Sequence, residues 1–62
     1  MLFDVIDRIK YLRCIAGWTQ GTVNNRMGYT YQKTGAIETG MQSYATALRL
    51  ANRLEKLVDR EL

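Results

Sequence analysis

Glycines at positions 17, 28 and 40 divide this chain into four segments, and that division constrains the fold more than any other feature. Glycine leaves a helix through a left-handed residue at no steric cost, so it commonly stands just after a helix end. No proline interrupts any of the segments. The pattern predicts helices over residues 2–16, 20–27, 31–38 and 44–61, with Thr19, Thr30 and Ser43 as N-terminal caps.

The first and last segments carry apolar residues at helical spacing. The first has Leu2, Val5, Ile6, Ile9, Leu12 and Ala16; the last has Tyr44, Ala47, Leu48, Ala51, Leu54, Val58 and Leu62, widened by Leu50 and Leu57. Recurrence at i, i+3, i+4 and i+7 indicates one buried face on each helix. The sequence therefore predicts a single all-α domain over residues 1–62, with four or five helices.

The residue types that are missing limit the chemistry. A single cysteine cannot form an internal disulfide, and the chain has no histidine. Without a Cys/His cluster there is no structural zinc site, and most triad chemistry is excluded as well. Packing alone must hold a core this small together. We expect a protein that is not an enzyme and that uses no cofactor, metal or small-molecule substrate.

Charge and hydropathy bear on location and partners. No apolar run approaches the roughly 20 residues that span a bilayer, and Asp4 and Asp7 give the N-terminus the wrong charge for a signal peptide. The lone thiol of Cys14 suits a reducing compartment, so we expect a cytoplasmic protein without membrane contact. The net charge of +3 permits a nucleic-acid partner without requiring one.

A set of short motifs in fixed order covers about three quarters of the chain, from Ile9 to Leu54. The motifs are Leu12-Arg13, Gly17-Trp18-Thr19-Gln20, Met27-Gly28-Tyr29-Thr30, Ile37-Glu38-Thr39-Gly40, Ser43 and Leu50-Ala51-Asn52-Arg53-Leu54. In order and in spacing they resemble the lambda-repressor/Cro-like family of helix-turn-helix proteins. The resemblance implies a helix-turn-helix over residues 20–38, which binds double-stranded DNA.

The resemblance also implies roles for individual residues. The third helix would enter the major groove, where side chains at its N-terminal end meet base edges. The expected base contacts are Tyr31, Gln32, Lys33 and Ala36, and the expected phosphate contacts are Gln20, Thr30, Thr39 and Gln42. Gln20 would also brace the start of that helix. Arg13 and Glu38 would form a structural ion pair that joins the first helix to the end of the third.

Three positions depart from the family pattern. The family usually has a small alanine at the position of Asn24 and a hydrophobic residue at that of Thr34. Gly35 is expected to weaken the third helix by roughly 1 kcal/mol relative to alanine. Positive charge is also sparse in this part of the chain, since residues 17–44 contain only Arg26, Lys33 and the acidic Glu38.

Apolar residues at both ends of the chain suggest self-association. Leu54, Leu57, Val58 and Leu62 extend beyond the expected core, and Phe3 offers a rival surface at the other end. Exposed apolar patches usually mark interfaces, so the last helix is predicted to dimerise.

These features favour a small Cro-like transcriptional regulator that binds an operator as a homodimer, encoded by a phage, prophage or plasmid. The alternative is a protein-binding module on the same fold, such as an antitoxin, an antirepressor or an inhibitor of a larger complex.

Overall fold

The computed structural model describes all 62 residues and contains four helices and no strand. Helix α1 spans Leu2–Ala16, α2 spans Gln20–Met27, α3 spans Lys33–Glu38 and α4 spans Tyr44–Glu61. The all-α prediction is confirmed, and so are the bounds of α1, α2 and α4. None of the helices is both long and apolar enough to cross a membrane.

One core, formed by all four helices, holds the chain together. The two long helices α1 and α4 pack against each other, α2 packs against α3, and α3 contacts both long helices. Several core side chains have essentially no exposed surface: Ile6, Ile9, Val23, Ile37, Leu50, Leu54 and Val58. Most of the apolar residues that recur at helical spacing in α1 and α4 thus lie in the interior as predicted, whereas Tyr44 and Leu62 are exposed.

The caps follow the sequence at two of the three predicted sites. The hydroxyl oxygens of Thr19 and Ser43 accept hydrogen bonds from the backbone N–H groups of Thr22 and Thr46, three residues on. Gly17 and Gly28 follow the last residues of α1 and α2, and both glycines adopt the left-handed conformation, with φ of 73° and 68°. Local signals therefore specify the end of α1, both ends of α2 and the start of α4, but not the start of α3.

Helix α3 begins at Lys33, two residues later than predicted, and Thr30 does not cap it. Residues 30–32 form a turn in which the Lys33 N–H donates to the Thr30 carbonyl at 3.2 Å. Gln32 then adopts the left-handed conformation (φ 68°), which excludes it from the helix. The cap comes from α2 instead, because Asn24 Oδ1 accepts from the Thr34 N–H at 2.9 Å.

The prediction that Leu54 and Val58 lie in a dimer interface is wrong. Both side chains are buried within one chain, at 0% and 1% exposure, because α1 runs along α4 and covers them. Leu57 is half-buried against the same core. Of the predicted interface residues only Leu62 and Phe3 are largely exposed, at 75% and 69%.

Candidate nucleic-acid interface

All eight residues expected to contact DNA line one open depression of about 650 Å³. Gln20 comes from the start of α2, Lys33 and Ala36 from α3, and the others from the segments on either side of α3. The lining consists of Gln20, Thr30, Tyr31, Gln32, Lys33, Gly35, Ala36, Thr39, Met41 and Gln42. The fold thus brings together residues that are up to 22 positions apart in the sequence.

The turn before α3 presents its side chains outward. Tyr31 is 88% exposed, and Gln32 beside it is also exposed. Gln32 is the only residue other than glycine with a positive φ angle in the chain. Lys33 is half-buried, with its ammonium 4.8 Å from the centre of the Tyr29 ring, a cation–π distance. An amide and a cation therefore stand side by side at the start of the helix.

A network of charged and polar side chains joins α1 to α2 and α3. Arg13 donates from Nε and Nη2 to the two carboxylate oxygens of Glu38, at 2.7 and 3.0 Å, so the predicted ion pair is present. Glu38 is buried, with a side chain only 2% exposed. Hydrogen bonding to Glu38 raises the pKa of Arg13 above its ordinary value. Two parallel bonds fix the orientation of both groups as well as their distance.

Gln20 completes the network. Its Nε2 donates to Glu38 Oε1 at 2.9 Å, so the buried carboxylate ties the start of α2 to the end of α3. The side chain lies across Gly35, where a Cβ would stand only 3.1 Å from Gln20 Oε1. Gly35, which weakens α3, therefore leaves room for the glutamine to lie close to the helix.

Asn24 and Thr34 form a buried polar pair between α2 and α3 that the sequence analysis did not predict. The Thr34 hydroxyl and backbone N–H both donate to Asn24 Oδ1, at 2.5 and 2.9 Å. Asn24 is 8% exposed and Thr34 has no exposed surface. The sequence did contain a signal for this pair, because Asn24 and Thr34 both depart from the same family pattern. The two polar side chains satisfy each other by hydrogen bonding.

The remaining predicted contacts, Thr30, Thr39 and Gln42, are exposed side chains of the same lining. The Thr39 hydroxyl donates to the Ala36 carbonyl at 3.0 Å. Lys33 is the only charged side chain in the lining. No three His, Cys, Asp or Glu side chains lie close enough together to hold a metal ion. The surface therefore offers neutral hydrogen-bonding groups, one cation and an exposed aromatic ring.

Comparisons of this chain with protein-family models, curated proteins and solved structures find no match. What the surface does must therefore be inferred from its own residues. Its chemistry suits a partner that presents both hydrogen-bond donors and acceptors, as base edges do, together with the acceptor oxygens of phosphates.

Proposed function

We propose that this protein is a small DNA-binding transcriptional regulator in which α2 and α3 form a helix-turn-helix of the lambda-repressor type. The observation that carries the proposal is the depression beside α3, because eight residues chosen from the sequence pattern as DNA contacts meet on one exposed surface. The protein would act sterically, by occupying an operator in double-stranded DNA.

The start of α3 is the proposed reader of base edges. Gln32 can pair with adenine through its amide, and Lys33 can donate to the acceptors of guanine. Tyr31 offers its ring to a thymine methyl group or its hydroxyl to a phosphate. Because Gln32 stands in the turn rather than in the helix, its left-handed backbone conformation sets the direction in which the side chain leaves the chain.

Gln20 is proposed to serve both the protein and the DNA. One N–H of its side-chain amide is engaged by Glu38, and the other is free for a phosphate oxygen. Thr30, Thr39 and Gln42 are the other proposed phosphate contacts. The Arg13–Glu38 pair would hold α3 at its angle to the rest of the domain without touching DNA.

The test is a binding assay on a duplex selected by the protein from a random pool, with arbitrary duplexes for comparison. Gln32→Ala and Lys33→Ala are each expected to cost roughly 1–3 kcal/mol at the selected duplex and less elsewhere. Gln20→Ala is expected to weaken all duplexes about equally, since phosphates carry no direct sequence information.

Matched controls are available on exposed helix positions outside the depression. Asn25→Ala removes a side-chain amide from α2, and Lys10→Ala removes a lysine from α1. Both should retain wild-type affinity. If Gln32→Ala and Lys33→Ala behave like these controls, α3 does not read the sequence.

A protein-binding role on the same surface is the second candidate. Tyr31 and Met41 are 88% and 77% exposed in a lining with a single charge, and exposed aromatic and methionine side chains are enriched at protein interfaces. Absence of any DNA complex at micromolar protein in low salt would favour this candidate over the first.

A further inference from the structure

Four cations form a continuous row along the outer side of α4. These residues, called the basic stripe below, are Arg49, Arg53, Lys56 and Arg60, and all four are exposed. Their spacing of four, three and four residues places them within about 60° of arc around the helix and along about 17 Å of its axis. The buried residues of α4, such as Leu54, lie on the opposite side.

No carboxylate neutralises the basic stripe. The acidic residues on α4 that form salt bridges are paired with other helices: Glu55 with Arg8 of α1, and Glu61 with Arg26 of α2. None of the four stripe residues forms a salt bridge or a side-chain hydrogen bond. In the sequence alone, the mixed charges of this segment are typical of an ordinary solvated face. The third carboxylate of α4, Asp59, is exposed and forms no salt bridge with the stripe.

Helix α2 forms part of a depression beside the basic stripe. Arg26 and three stripe residues surround a shallow depression of about 240 Å³ whose apolar lining is limited to the buried Met27 and the half-buried Leu57. Arg26 is paired with Glu61 and stacked over Trp18. It therefore forms a wall of the depression but adds little unpaired positive charge to it. None of these residues lines the candidate interface beside α3.

We propose that the basic stripe binds the phosphodiester backbone of duplex DNA, as a second contact surface that recognises no base sequence. The choice of DNA as the partner rests on the proposed function. A row of unpaired cations about 17 Å long matches a linear polyanion, which gains affinity by releasing counterions. The stripe would thus add four cations to a protein whose candidate interface contains only Lys33.

The same surface fits other anionic partners less well. A helix that binds a membrane surface needs large apolar side chains beside its cations, and the stripe is flanked only by the half-buried Leu57. An acidic protein segment would need aromatic or aliphatic anchors for a stable contact, and no aromatic residue lines this depression. Both partners are outcomes of the test below.

The test measures affinity for a labelled duplex of arbitrary sequence across a series of NaCl concentrations. The slope of log affinity against log salt should be shallower by about 0.9 for each phosphate that a variant no longer neutralises. Lys56→Gln is therefore expected to reduce the slope by about one, and the triple variant Arg53→Gln/Lys56→Gln/Arg60→Gln by about three. The matched control Lys10→Gln, also an exposed lysine without a salt bridge, should keep the wild-type slope. Circular dichroism verifies that each variant is folded.

The outcomes separate this inference from the proposed function. Wild-type slopes in Lys56→Gln and in the triple variant overturn the inference, while the recognition of base sequence by Gln32 and Lys33 stands on its own assay. A reduced slope, with no effect of Gln32→Ala on sequence preference, supports the stripe and overturns the proposed reader. Failure of wild-type protein to bind any duplex in low salt overturns DNA as the occupant. Binding to polyglutamate or to phosphatidylserine vesicles that the triple variant abolishes would then assign the stripe to that partner.

Discussion

Gln32 is the residue at which local conformation and proposed function meet. A non-glycine residue in the left-handed region costs roughly 1–2 kcal/mol, and no other such residue occurs in the chain. Glycine would fit the same turn without that cost, as it does at Gly17 and Gly28. Backbone strain of this kind concentrates at functional sites, where a particular side chain is needed in spite of it.

We therefore expect Gln32→Gly to raise the free energy of unfolding by up to about 1 kcal/mol, because the strain is relieved. The same change should weaken binding to the selected duplex, because the amide is removed. Chemical denaturation measures the first effect and the duplex assay the second. Gln32→Ala is the matched control, since it removes the amide but keeps a Cβ in the strained conformation. A Gln32→Gly variant that is less stable than wild type would contradict the assignment of strain.

Among the helices, α3 is the one whose start the sequence did not predict. Helix α2 has a local start and a local stop signal, α1 ends at a glycine and α4 begins at a serine cap, and the bounds of all three agree with the prediction. The N-terminus of α3 is instead capped by Asn24, which is ten residues from the Thr34 N–H and belongs to another helix. A contact of that range cannot be inferred from local capping rules. The Arg13–Glu38 pair, 25 residues apart, was predictable only because a known family pattern suggested it.

The α2–α3 packing yields a prediction about coupling. Asn24→Ala should cost about 1–3 kcal/mol of unfolding free energy, because it leaves the Thr34 hydroxyl and N–H without an acceptor in the interior. Thr34→Val should cost less, since the N–H still has its partner. The double variant should cost less than the sum of the two, by at least about 0.5 kcal/mol.

A double-mutant cycle by urea denaturation measures this coupling. Asn25→Ala serves as the control for Asn24→Ala, because Asn25 is exposed on the same helix and forms no side-chain hydrogen bond. It should change stability by less than about 0.5 kcal/mol. Strict additivity within the cycle would show that the two side chains do not stabilise the helix contact together.

At the scale of the whole molecule, less apolar surface is exposed for a partner than the sequence pattern predicts. The pattern predicts that the C-terminal turns of α4 extend beyond the core, whereas Leu54 and Val58 are buried in it. That packing depends on the crossing of two helices, which hydrophobic spacing does not specify. The exposed Phe3 and Leu62 do not form one patch with each other. The Phe3 ring is beside Gly40, ahead of α4, while Leu62 follows the far end of a helix about 27 Å long.

The homodimer predicted from the sequence would therefore need a mixed surface, and Phe3 and Leu62 are the predicted interface residues that are still largely exposed. A stable interface covers about 800 Å² on each partner, about a fifth of the 4027 Å² surface of this chain. Phe3 is the larger apolar side chain and lies beside Gly40, so we expect Phe3→Glu to shift the protein from dimer to monomer in sedimentation without a decrease in helicity. Val58→Glu should instead unfold the chain, because it places an uncompensated charge in the core. A wild-type chain that sediments as a monomer at high micromolar concentration would exclude the dimer, and a dimer that persists in Phe3→Glu would move the interface to the Leu62 end.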